Sequence, residues 1–244
     1  MKQKDSKWLT PPKAPELLPN EIHVWRTYLY FNGHSTYHFY SLLSEDEKSK
    51  ANRFRFERDK KRFIITRGLL RETLGLYLGI DSKDLDFNYN KYGKPSLTNP
   101  GKSKLEFNLS HSGDVILYSF AKERKLGIDV ERLRPIKKAQ KIVERFFSDN
   151  EQQYYNTQNA TEKESTFFKL WTYKEAYTKA KGLGLALPLN QFDVPLANKP
   201  LPPNNSYATQ WTWREINLAP DYIAAIAVEG SGFEIKQWDF DNAE

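Results

Sequence analysis

The 244-residue sequence contains no cysteine, which removes disulfide frameworks, thiolate metal sites and cysteine nucleophiles from consideration. It has no apolar run near the ~20 residues that a membrane span needs, so no membrane partner is expected. The opening stretch MKQKDSKWLTPPKAPELLPN lacks the apolar segment of a signal peptide, and a cytoplasmic location is expected. What the chain does have is a large apolar fraction, 39%, with 15 Phe, 14 Tyr and 6 Trp, the composition of a folded globular protein. Thirty-seven Lys and Arg against 31 Asp and Glu leave a net charge of +6. That surplus suits a polyanionic partner: nucleic acid, a phosphorylated small molecule or an acidic protein.

Residues 1–20 are polar and hold four prolines, which reads as a loosely attached arm. The alternating run at 21–30 predicts a strand. Ser44 with Glu47 forms a capping-box pattern that opens a helix. A second helix is predicted over 58–78, with Phe63, Leu69, Leu70, Leu74 and Leu76 on its buried side and Gly79 as its stop. The stretch 88–104, with two Gly and two Pro, reads as a turn-rich connection. Strands are predicted at 105–110, 115–122 and 125–132, helices at 137–147, 148–156 and 161–181, and strands again at 211–218, 222–230 and 233–240. Gly182 is a suitable C-cap for the 161–181 helix. The result is an α+β pattern that occurs twice, with a join near 123–125: an N-terminal lobe over 21–123 and a C-terminal lobe over 124–244.

The segment LGIDVERLRP (126–135) carries two acids in an apolar strand. Residues i and i+2 of a strand share a face about 6–7 Å apart, so Asp129 and Glu131 can converge on one hard cation while Ile128 and Val130 face the core. Mg²⁺ takes such oxygen ligands. A solvent-facing acidic side paired with Arg132 or Arg134 fits the same spacing. Glu175 continues the helical stripe of Phe168 and Trp171, where an unpaired carboxylate is costly. Lys179 lies one turn on and can pair with it. His111, one of 4 histidines, follows Ser110 in FNLSHSGD. Adjacent strand residues face opposite ways, so a Ser–His hydrolytic pair is geometrically poor, and a turn presenting both to a phosphate fits better. KYGKP (91–95) reads either as a plain turn or as a loop presenting Lys94. Arg53, Arg58 and Arg62 read either as a solvated basic face or as anion ligands.

In order, YGKP, FNLSHSGD, GIDVE and FFKLWTYKEAYTKAKGLGL resemble the motifs of the Sfp-type 4′-phosphopantetheinyl transferases. That family carries a YGKP-like loop, an N-x-SHS segment, a G-(I/V)-D-x-E strand and a W-x-x-KEA-x-x-K helix. FFSDNEQ (146–152) is similar to its F-(F/L)-S-x-x-E segment, and the likeness runs from about Ser44 to Pro188. It implies two similar α+β lobes, pseudo-twofold, with the active site at their interface, in a monomer. It implies transfer of the phosphopantetheine of coenzyme A to a serine of an acyl or peptidyl carrier protein, with adenosine 3′,5′-bisphosphate leaving. It further implies Mg²⁺ on Asp129, Glu131 and Glu175, and catalysis by Glu175 as base and Lys179 at the leaving oxygen. Lys94, Ser110 and His111 match positions for coenzyme A phosphates; Arg62 lines up with a basic position of the early helix, and Arg53 lies in the same stretch.

Three rival readings remain at this point, one of them a catalytically dead carrier-binding homologue, against which the intact acids and lysine argue. A nucleic-acid binder fits the basic charge and aromatics but leaves three acids on a phosphate-tracking surface, where they repel. A metal-dependent phosphodiesterase on the same acids differs in product, since it hydrolyses coenzyme A without a carrier acceptor. Phe146, Phe147, Tyr154 and Tyr155 read either as core or as a seat for a carrier helix.

Overall fold

The computed structural model describes residues 7–29, 35–98, 104–196 and 210–242. Of the 1–20 arm, residues 1–6 lie outside these, as does the Tyr30 end of the first expected strand; the rest of the arm is not loosely attached, since Leu17 is buried and Leu9 exchanges backbone hydrogen bonds with Gln237 (3.0 Å) and Asp239 (2.9 Å). Strand β1 (Glu21–Tyr28) leads into helices α1 (Thr36–Leu42), α2 (Glu45–Asn52) and α3 (Glu57–Leu78). A hairpin of β2 (Phe87–Tyr89) and β3 (Pro95–Leu97) follows, then β4 (Leu105–Ser112) and β5 (Val115–Lys122). The second half runs β6 (Leu126–Arg132), α4 (Ala139–Phe146), α5 (Asp149–Asn156), α6 (Lys163–Lys181), β7 (Trp211–Glu215), β8 (Tyr222–Glu229) and β9 (Glu234–Asp239). Among the described residues no helix is long and apolar enough to cross a membrane.

The two halves repeat one plan. In the first sheet the neighbours run β4-β5-β1, and in the second β6-β8-β7, every one of these pairs antiparallel. Each half therefore sets its first strand beside its last, and its last beside its middle one. The local chemistry repeats too. Ser44 and Glu47 close a capping box on α2, and Ser148 and Glu151 close one on α5. In each case the glutamate is also buried against a cation of the long helix that follows: Arg71 at 2.6 Å in the first half, Lys174 at 2.8 Å in the second. Each long helix ends on a left-handed glycine, Gly79 and Gly182, a conformation that glycine adopts without Cβ strain.

β9 breaks the repeat. Sequence order placed it in the C-terminal lobe, yet it pairs in parallel with β1 at the free edge of the first sheet. Two further differences concern the first lobe. Leu76, expected on the buried side of α3, is 48% exposed, because it lies two residues and so about 200° round from Leu74. The stretch read as a plain connection contains the β2–β3 hairpin.

Among the described residues, three apolar clusters hold the molecule together. Trp25, Phe39, Leu70, Leu74, Tyr118 and Phe120 pack α1 and α3 on the first sheet. Phe147, Phe168, Tyr177, Trp211 and Trp213 do the same for α6 in the second. The third joins the halves, with Ile22, Val24 and Leu117 meeting Ile128, Val130 and Ile226. Phe147 and Tyr155 are buried in the second cluster and serve as core, whereas Phe146 and Tyr154 pack against it half-buried.

Candidate active site

β6 is an edge strand of its sheet and β4 an edge strand of the other. Their backbones do not pair. Instead, alternate side chains of β4 accept the outward amides of β6: Ile128 N donates to Asn108 Oδ1 (3.0 Å), Val130 N to Ser110 Oγ (3.3 Å) and Arg132 N to Ser112 Oγ (3.1 Å). The period-2 spacing of Asn108, Ser110 and Ser112 makes this ladder, since only i and i+2 of a strand reach one side. It satisfies buried edge amides that are costly to leave unpaired.

The same serines aim the acids. Ser110 donates to Asp129 Oδ1 (2.9 Å) and Ser112 to Glu131 Oε2 (3.0 Å). Lys179, reaching from α6, donates to both Asp129 Oδ1 and Ser110 Oγ at 2.7 Å. The expected one-turn pair with Glu175 is thus not where Lys179 spends its bonds; it crosses to β6 instead. Glu131 is held by Arg134 at 2.9 Å, as the surface-pair reading of that acid anticipated. Ser110 is buried and its hydroxyl is engaged with Val130, Asp129 and Lys179, which makes it an organiser of the acid cluster.

α6 reaches this position because Gly127 lets it. A Cβ at Gly127 would lie 2.2 Å from Ala176 O and 2.3 Å from Ala180 N, so the strand and helix backbones touch at the residues that directly follow Glu175 and Lys179. A glycine inside a strand marks such an approach. Lys174, adjacent to Glu175, points the other way. It is fully buried, pairs with Glu151 and donates to the carbonyls of Leu189 (2.5 Å) and Phe192 (2.7 Å), which fixes the rotation of the helix.

Electrostatics set the acids against one another. Burial pushes the Asp129 carboxyl up, with Lys179 pulling the other way. Burial also raises Glu175, and the charges of Asp129 and Glu131 raise it further. Asp129 Oδ2 is buried and accepts no hydrogen bond. Excess negative charge, carboxylate oxygens and an orphaned buried acceptor are what a hard divalent cation relieves, so the donor set fits Mg²⁺ in kind. As the side chains stand, no three acids or histidines among the described residues converge on one point.

Two cavities flank this cluster. One, of about 400 Å³, is lined by Lys94, Asn108, Glu175, Thr178, Lys179 and Gly182. The other, of about 200 Å³, is lined by Phe54, Arg62, Phe63, Thr66, Arg67 and His111; Arg67 and Leu109 border both. The His111 ring is held below its usual pKa by partial burial, then by Arg62 and Lys179. It faces away from buried Ser110, as strand alternation predicts. Lys94 donates to Ala180 O (3.0 Å) and Leu126 O (3.3 Å) across the lobe junction. Arg53 stands apart: it lines neither cavity and bonds only weakly to Ser49 O in its own helix. Of the expected residues the structure therefore gathers Ser110, Asp129, Glu131, Glu175 and Lys179, places Lys94 beside them, and sets Arg62 and His111 in the adjoining cavity. Sequence reasoning missed Asn108, Ser112, Gly127, Glu151 and Lys174. The N-x-S-x-S spacing and the glycine inside an apolar strand were the available signals.

Comparison with known proteins agrees over both halves. The model of the 4′-phosphopantetheinyl transferase superfamily matches residues 125–227, and that of the 4′-phosphopantetheinyl transferase N-terminal region matches 33–122. The 4′-phosphopantetheinyl transferase HetI of Nostoc sp. is 37% identical over 236 residues, 96% of this chain and 98% of its own. The 4′-phosphopantetheinyl transferase Sfp of Bacillus subtilis is 34% identical over 158 residues, 65% of this chain and 68% of its own.

Proposed function

The chain belongs to the 4′-phosphopantetheinyl transferase superfamily, and from that premise we propose that it moves the 4′-phosphopantetheine of coenzyme A onto a serine hydroxyl of an acyl or peptidyl carrier protein. It does so as a cytoplasmic monomer and releases adenosine 3′,5′-bisphosphate. The observation that carries this reading is the Lys179–Asp129–Ser110 cluster beside Glu175 at the lobe junction, opening on a cavity lined by Lys94.

In the reaction the carrier serine oxygen bonds to the phosphorus that bears pantetheine, and the bond from that phosphorus to the bridging pyrophosphate oxygen breaks. The serine proton goes to Glu175, directly or through a water, from its place on α6 beside the acids of β6. Lys179 sits where charge develops on the leaving bisphosphate, and a fixed ammonium in a partly buried site stabilises that charge more than water does. Lys94, and across Arg67 the pair Arg62 and His111, receive the remaining phosphates of coenzyme A. Asp129, with Glu175 and Glu131, would hold Mg²⁺, which when bound supplies charge neutralisation at the pyrophosphate oxygens. The ladder of Asn108, Ser110 and Ser112 keeps Asp129 and Glu131 facing that point.

Intact-mass spectrometry of an apo carrier protein, incubated with the enzyme, coenzyme A and Mg²⁺, tests the reading. The expected result is a gain of one phosphopantetheine that EDTA prevents. Coenzyme A cleaved with no carrier modified across a panel of acyl and peptidyl carriers would instead make the protein a hydrolase and sink the proposal.

A further inference from the structure

The β2–β3 hairpin carries Lys94 to the cavity, and one side chain determines how it sits there. Asn90 uses both ends of its amide. Its Oδ1 accepts from the backbone N–H of Tyr92 and of Lys94, each at 2.9 Å, which builds the turn. Its Nδ2 donates to Gly182 O at 2.7 Å, a carbonyl left unpaired by the helix where α6 ends. Asparagine is suited to this because it is donor and acceptor at once; aspartate and alanine lose the donor, and a serine hydroxyl is too short to reach Gly182. Lys94 then joins the same helix end through Ala180 O and also reaches Leu126 O on β6. Gly182 fits the arrangement closely, since a Cβ there would meet Asn90 Nδ2 and Lys94 Cδ, both at 3.0 Å.

We propose that Asn90 is a positioning residue for the transferase reaction: it latches the hairpin of the N-terminal lobe onto the last turn of α6, and so holds Lys94 at the mouth of the coenzyme A cavity. Asn90 touches no substrate in this scheme and acts through Lys94. The inference rests on the proposed function, because it assumes that Lys94 meets a phosphate of coenzyme A.

A double-mutant cycle decides it. Asn90→Ser keeps a short oxygen for the turn but cannot span to Gly182. Its KM for coenzyme A should rise about 2- to 10-fold, the range that one hydrogen bond supports, with kcat within about twofold of wild type. In a Lys94→Ala background the same substitution should change KM no further. A residue that merely stabilises the fold would lower the melting temperature and leave KM alone, or would act equally in both backgrounds; either result overturns the proposal. If Asn90→Ser does not fold, Asn90→Asp, which retains the acceptor oxygen, takes its place in the cycle. A wild-type enzyme that modifies no carrier refutes the functional reading instead, and a wild type that is active while Asn90→Ser binds coenzyme A normally refutes this inference alone.

Discussion

Gly127→Ala tests whether close backbone contact between strand β6 and helix α6 builds the site. The glycine is absent from the positive-φ residues, so alanine is permitted by the backbone and any effect is steric. Its Cβ would stand 2.2 Å from Ala176 O, whereas ordinary contact begins near 3.4 Å; the helix must retreat by about 1 Å. Such overpacking costs about 1–3 kcal/mol, and strain on the 2.7 Å Lys179–Asp129 bond brings the total to about 2–4 kcal/mol. For a chain of this length each kcal/mol lowers Tm by about 2–4 °C, so calorimetry should record a fall of about 4–16 °C. A 1 Å displacement of reacting groups is worth about 10²-fold in rate, and the variant should transfer phosphopantetheine about that much more slowly, even well below its own Tm. The opposite outcome is also defined. Were the contact absent, alanine in a strand interior would be better than glycine by about 0.5–1 kcal/mol. An unchanged or raised Tm with wild-type kcat would refute the reasoning.

Asp129→Ala and Glu175→Gln should each lower transfer by about 10²–10⁴-fold while leaving the circular dichroism spectrum unchanged; full activity in either would dissolve the site. Lys174→Met strands Glu151 in the core, and breaking a buried pair costs about 3–5 kcal/mol, so Tm should drop by about 6–20 °C, with part recovered in Lys174→Met/Glu151→Leu. Glu175 gives a pH test whose sign follows from its raised carboxyl. The folded state holds that proton more tightly than the unfolded chain, so stability declines as pH rises from about 4.3 towards the folded value. In EDTA at neutral pH, Glu175→Gln should therefore melt above wild type, and the gap should close on acidification below about pH 4; a less stable glutamine variant would contradict the charge crowding described for the acids.

Much of this was legible in the sequence, and for physical reasons. Capping boxes, glycine stops and period-2 runs are local signals, so α2, α3, α5, α6 and the strands from β4 to β8 stand close to where their patterns put them. Asp129 and Glu131 share a face because strand geometry leaves them no other course. Three things were hidden. Helix α1 has only Phe39 and Leu42 buried among residues of middling helix propensity, so it has no visible stripe. The placement of β9 in the first sheet depends on a contact some 200 residues away in sequence. The partners of Lys179 and Lys94 are likewise set by tertiary approach: a long lysine reaches several acceptors, and only the fold decides between the acid one turn away and the one across the junction.

The pairing of β9 with β1 also bears on how the protein is made. β1 is complete some 200 residues before β9 is synthesised, an interval of about 10–40 s at ordinary elongation rates. Through roughly the second half of that time, once β5 has been made, the first sheet has its helices and its other strands while the β1 edge stays bare, the kind that recruits foreign strands. The N-terminal lobe is thus first to emerge and last to be sealed, and its solubility on the ribosome depends on a strand that has not yet been translated.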